Sequence, residues 1–86
     1  MNLSTMLGGL FNLNPNTITG IVQAMVYDYD ADLVKVIIVQ EREAYFFIIT
    51  GATANAFQLQ VRAGMTVRIS YTSGNPSEIT SFEVLS

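Results

Sequence analysis

The chain has no cysteine, no histidine and no tryptophan, and only four basic residues, Lys35, Arg42, Arg62 and Arg68, among its 86. Without cysteine there is no disulfide, and without cysteine or histidine the usual ligands of zinc and haem sites are missing. No metal or cofactor is therefore expected. Catalysis loses the same groups, since no imidazole or thiolate exists to activate a nucleophile or relay a proton near neutral pH. The glycines at 8, 9, 20, 51, 64 and 74 lack the spacing of a phosphate-binding loop. Glu41 and Glu43 stand two apart in an expected turn, where carboxylates are ordinarily solvated. These absences together predict a protein that is not an enzyme.

Positive charge is scarce as well. Four cations face seven acidic residues, giving a net charge of −3 and a pI near 4.4. Nucleic-acid binding draws much of its affinity from neutralised phosphates, so the balance disfavours that partner. No apolar run reaches the roughly 18 to 20 residues that cross a bilayer, and Glu41, Arg42 and Glu43 interrupt the longest. No membrane contact is expected. The N-terminus has neither a basic leader nor a small-residue cleavage site, so a cytoplasmic or virion-associated setting is expected. Small acidic chains of this kind suit the compact genome of a phage, although no residue carries that reading.

Apolar residues, by contrast, are abundant. Half the chain is hydrophobic and 13% is charged, against about 25% in an ordinary domain. A chain this short buries only roughly 60 to 65% of its unfolded surface, and small domains supplement such a core with disulfides, metals or oligomerisation. Only the last remains open here. Residues 33–50, LVKVIIVQEREAYFFIIT, form two runs that are apolar at odd and even positions alike. A half-buried strand alternates, so both faces of these two require cover. The expected function is therefore a homo-oligomeric assembly or adaptor subunit that acts through protein contacts.

Two segments are expected: an N-terminal arm over residues 1–15 and a barrel domain over residues 16–86. The arm carries no charge, and Leu3, Met6, Leu7, Leu10 and Phe11 recur as one face of a short helix would. Gly8 and Gly9 weaken that helix by about 1 kcal/mol each relative to alanine, so it docks or stays flexible. Beyond it, β-branched residues predict a first strand over 17–28, bent at Gly20. A turn at 28–32, a strand at 33–41, a turn at Arg42 and Glu43 and a strand at 44–50 complete a meander. Residues 51–60 read as a short helix capped by Thr53. Strands at 65–72 and 78–85 follow, joined by the turn SGNPS, and a parity slip between Ile79 and Phe82 predicts a bulge.

Strand, strand, strand, short helix, strand, strand, with VRAGMTVRISY leading into the fourth strand, resembles an OB fold over residues 17–85, at the level of fold and not of any one family. The expected class is thus all-β, a five-stranded small barrel, with another small barrel or a β-sandwich as the runner-up. The expected chain contacts are Ile37, Val39, Phe46 and Ile48, with Leu7, Leu10 and Phe11 from the arm. Parity groups the strand residues, but the opposite assignment exchanges them for Val36, Ile38, Tyr45 and Phe47.

The resemblance also implies an alternative function, single-stranded nucleic-acid binding. Tyr45 and Phe47 would be the stacking aromatics on one face of the third strand, and Lys35, Arg62 and Arg68 the phosphate partners. Asp28, Asp30 and Asp32 alternate like the start of an EF-hand loop. Its required glycine and glutamate are replaced by Leu33 and Val39, so a plain turn is expected.

Overall fold

The structure, a computed structural model, describes residues 16–86. In order they form β1 (Asn16–Asp28), β2 (Leu33–Gln40), β3 (Glu43–Ile49), α1 (Gly51–Gln60), β4 (Thr66–Thr72) and β5 (Ser77–Val84). The strands close into a barrel ordered β1-β2-β3-β5-β4, in which β3 and β5 run parallel and every other pair is antiparallel. This is an OB-like small barrel, as the element order implies. The expected arm, with Leu7, Leu10 and Phe11, lies outside the described residues.

A single long strand closes the barrel because β1 serves two neighbours. Its first half pairs with β4 from Asn16 to Ile21, and its second half pairs with β2 from Ile21 to Asp28. The register with β2 slips between Val22 and Ala24, so the bulge falls at Gln23, three residues past the glycine where the bend is expected. A bulge adds one residue and sharpens local twist, which turns β1 from one sheet edge to the other. Gly20 has a different task. A Cβ there would press into the Val39 carbonyl and the Ile38 Cγ2 of β2, so glycine lets the two backbones close. Gly20→Ala is expected to destabilise the barrel by about 1–3 kcal/mol, the cost of overpacking. A thermal melt would read this as a drop of at least about 4 °C, and an unchanged melting temperature would show that β1 and β2 can part here.

The core follows from strand alternation. Val34, Val36 and Ile38 of β2, Phe47 and Ile49 of β3, and Val67 and Ile69 of β4 all point inward and are buried. The short helix closes one end of the barrel with Ala54 and Phe57, the latter edge-on to Phe82 at a centroid distance of 5.0 Å. The helix begins two residues before the expected cap: Thr50 is the N-cap residue, and its hydroxyl donates to Glu78 Oε2 at 2.7 Å rather than capping the helix. On β5, Ser81 pairs with Ser70 and Ile79 with Tyr71, leaving Thr80 as the extra residue that accounts for the parity slip. No buried side chain among the described residues is polar.

Candidate functional site

In an antiparallel pair, directly opposed residues share a face. Val36 lies opposite Phe47, and Ile37 lies opposite Phe46. Because Val36 and Phe47 are core, Ile37 and Phe46 must point outward, together with Val39, Ala44 and Ile48. The four strand residues expected in a chain contact therefore share the outer surface. Of the two stacking aromatics expected there, neither is on it. Phe47 is 2% exposed inside the barrel, where its ring meets Tyr71 at 4.8 Å, and Tyr45 is half-buried against the same core. The aromatic on the open surface is Phe46, 48% exposed.

Around Phe46 the outer faces of three strands form one apolar surface. The Gln23 bulge shifts the parity of β1, so that Ile21, Ala24 and Val26 face the same way as Val39, Ile37 and Lys35, their partners on β2. Val26 is 60% exposed. Phe46, Ile37, Ala24 and Val26 enclose a shallow open cleft of about 240 Å³ with Lys35 at its side. Enclosed small-molecule sites run from about 300 Å³ upward. A shallow apolar floor beside a ring and a cation suits a flat aromatic group laid on the surface better than an engulfed ligand.

The β1–β2 turn holds the cation beside this cleft through Asp28. Asp28 Oδ1 accepts the backbone N–H groups of Asp30 at 3.0 Å and Ala31 at 3.2 Å, the local hydrogen bonding that makes aspartate a turn residue. Its Oδ2 lies 3.1 Å from Lys35 Nζ. The Tyr27 hydroxyl donates to Asp32 Oδ1 at 2.6 Å, and Tyr29, at the tip, meets Tyr27 edge-on at 4.7 Å. These bonds commit Asp28 and Asp32 to the turn, and among the described residues no group of three carboxylates is placed to hold a metal ion.

The same contacts move two ionisation equilibria. The Asp32 carboxylate that accepts its proton holds the Tyr27 hydroxyl above its ordinary range. The Ala31 N–H, followed by Lys35, holds the Asp28 carboxyl below its ordinary 3.8. A depressed carboxyl contributes stability above its unfolded value and loses it as the pH falls through its folded value. The turn should therefore stay ordered through pH 5 and loosen only in stronger acid. Titration of the Asp28 carboxyl carbon by NMR should give a midpoint below 3.8, and a midpoint at or above it would show that the turn does not hold the carboxylate.

The other expected phosphate partners do not join Lys35. Arg68 sits on β4, opposite Thr19 of β1, and its Nη1 pairs with Glu83 Oε1 at 2.6 Å. Arg62 follows α1, where its Nη1 donates to the carbonyls of Gln58 and Val61. Arg42 occupies the β2–β3 turn, where it and Glu41 both have positive φ. Two residues of the surface and one at the hairpin tip escape the sequence reading. Ala24 and Val26 reach the surface only through the bulge, which no pattern in residues 16–28 announces. Tyr29, 84% exposed, stands in a turn conspicuous for its aspartates, although its aromatic ring there is a visible signal.

No family model matches the chain, and no curated protein does. Among solved structures, the fold is similar to that of a small single-stranded DNA binding protein from Mycoplasma pneumoniae, with a TM-score of 0.56 over 86% of each chain at 12% identity. At that identity the likeness is one of fold. It corrects the expectation of a homo-oligomeric assembly or adaptor subunit, and with it the expectation that nucleic acid is a disfavoured partner: a solved neighbour of the barrel is a single-stranded DNA binding protein. The expectation failed for a physical reason. Surplus apolar surface on β2 and β3 leads first to protein contact and only second to single-strand stacking, whereas in OB barrels the outer face of those strands carries oligonucleotide binding.

Proposed function

We infer that the chain is an OB-type binder of single-stranded nucleic acid, engaging it on the outer face of β1, β2 and β3. The observation that carries this reading is the position of Phe46. It is a half-exposed ring at the centre of the strand face that OB barrels use, flanked by Ile37 and Val26 and with Lys35 beside it. A base stacks on Phe46, the apolar floor covers the sugar, and Lys35 exchanges Asp28 for a phosphate oxygen. Tyr29 at the β1–β2 tip offers a second ring. The fold likeness to a single-stranded DNA binding protein supports the same reading. Stacking is tolerant of sequence because every base has a π-face, so little base preference is expected.

The charge balance then becomes a prediction. Lys35 is the one cation lining the Phe46 cleft among the described residues, and single strands lose about 0.7 in log affinity per log salt for each phosphate neutralised. The expected slope is about −0.7 to −1.4, the larger figure if one further cation takes part, or about a three- to sevenfold loss between roughly 50 and 200 mM salt. Titrating a labelled oligothymidylate at several salt concentrations measures it. A slope steeper than about −3 would require several phosphate contacts, which would move the site away from the Phe46 face.

A further inference from the structure

A second cleft, of about 220 Å³, lies on the other side of the β1–β2 hairpin, between it and the segment that follows α1. Tyr27, Met25 and Val34 form one wall and Gln58, Val61, Arg62 and Ala63 the other. Its character differs from that of the outer cleft, because it presents a guanidinium. Arg62 donates from Nη1 to the Gln58 carbonyl at 3.0 Å and the Val61 carbonyl at 2.9 Å, which fixes the planar group against the end of the helix. Among the described residues no carboxylate lies within 4.0 Å of it, whereas Lys35 and Arg68 are both paired. A guanidinium has five N–H donors in a rigid fork, so anchoring one nitrogen leaves donors for an anion. No acid among the described residues lines this cleft, and Asp32 is bonded to one of its walls, at the Tyr27 hydroxyl on the hairpin side. The anion therefore belongs at the α1 end.

Met25 and Val26 border both clefts, since successive residues of a strand point to opposite faces. Among the described residues β1 has a strand partner on the β2 side alone along this stretch, for its pairing with β4 ends at Ile21 and its last bonds on that side join Val22 to Gly64 and Met65. None of their strands separates the two clefts across the β1 edge. Resting on the single-strand reading above, we propose that the Arg62 cleft is a second nucleotide subsite. A strand stacked on Phe46 crosses β1 at Val26, places a phosphate on Arg62 and packs the attached nucleoside against Tyr27 and Met25. Its ligand is thus a single strand long enough to round the hairpin, not an isolated nucleotide.

The test is affinity against length, using labelled oligothymidylates of about 4 to 16 nucleotides, the range one OB fold spans. Wild-type affinity should climb by about tenfold once a strand reaches Arg62, the worth of one charge-assisted hydrogen bond. Arg62→Gln should abolish that climb and reduce the salt slope of the longer strands by about 0.7, while leaving the shortest strand's affinity unchanged. Because Arg62 also tethers the end of α1, Ala63→Glu serves as the second variant. It puts a carboxylate at the exposed mouth of the cleft, leaves both Arg62 bonds in place and should flatten the climb with an unchanged melting temperature. If both variants climb like wild type while Phe46→Ala weakens every length, the second subsite falls and the outer face stands. If Arg62→Gln alone flattens the climb, the arginine acts by holding the turn, and the subsite falls too. Failure of wild type to bind any length would overturn both readings.

Discussion

Phe47→Ala is expected to cost about 3–5 kcal/mol, the range for a phenylalanine removed from a packed core. Phe47 is 2% exposed, lies opposite Val36, and stacks at a tilt on Tyr71, so its removal opens a cavity bordered by β2, β3 and β4. Domains are stable by only about 5–15 kcal/mol in total, and one this small belongs near the lower end. The variant should therefore be largely unfolded or melt far below wild type in circular dichroism. Its failure to bind oligonucleotide would follow from that loss alone. A cooperative melt within about 4 °C of wild type, equivalent to roughly 1 kcal/mol, would mean that Phe47 is not where the barrel places it.

The adjacent residue should behave in the opposite way. Phe46 is 48% exposed on the outer surface, so Phe46→Ala should leave stability within about 0.5–1 kcal/mol of wild type. Its effect should appear in binding. A base stacked on an aromatic ring is worth about 1–3 kcal/mol by alanine substitution, which is roughly a 5- to 150-fold loss of affinity. Phe46→Tyr, which keeps the ring, should restore most of it. A titration paired with a thermal melt separates the two neighbours: Phe46 moves affinity without the melt, and Phe47 moves the melt first. Full affinity in Phe46→Ala would remove the ring from the interface.

The contrast between these two residues shows how much the sequence discloses. The barrel was legible because turn chemistry and strand alternation act locally. The aspartates at 28–32 bond their own loop, Val67 and Ile69 alternate with Arg68, and Thr80 breaks parity where a bulge exists. In YFF the alternation separates Phe46 from Tyr45 and Phe47 but carries no sign, since both faces of β2 and β3 are apolar. Closure of the barrel supplies the sign. Only when β4 and β5 complete the ring do Val36, Ile38 and Phe47 become interior.

The site was less legible than the fold because it depends on one irregularity. The bulge at Gln23 turns Ala24 and Val26 outward, adding a third strand to the surface. A count of cations also says nothing of where they lie: Lys35, bridged to Asp28, stands beside Phe46, whereas Arg68 is paired with Glu83 on β4.

The most direct test of the Phe46 surface is a two-dimensional amide NMR spectrum of the labelled protein, recorded as single-stranded oligothymidylate is added and again with a duplex of equal length. Saturable shifts are expected for the single strand, centred on Ala24, Val26, Lys35, Ile37 and Phe46, with weak shifts or none for the duplex. No shifts with the single strand, or shifts confined to Arg68 and Glu83 on the β4–β5 side, would contradict binding on this surface.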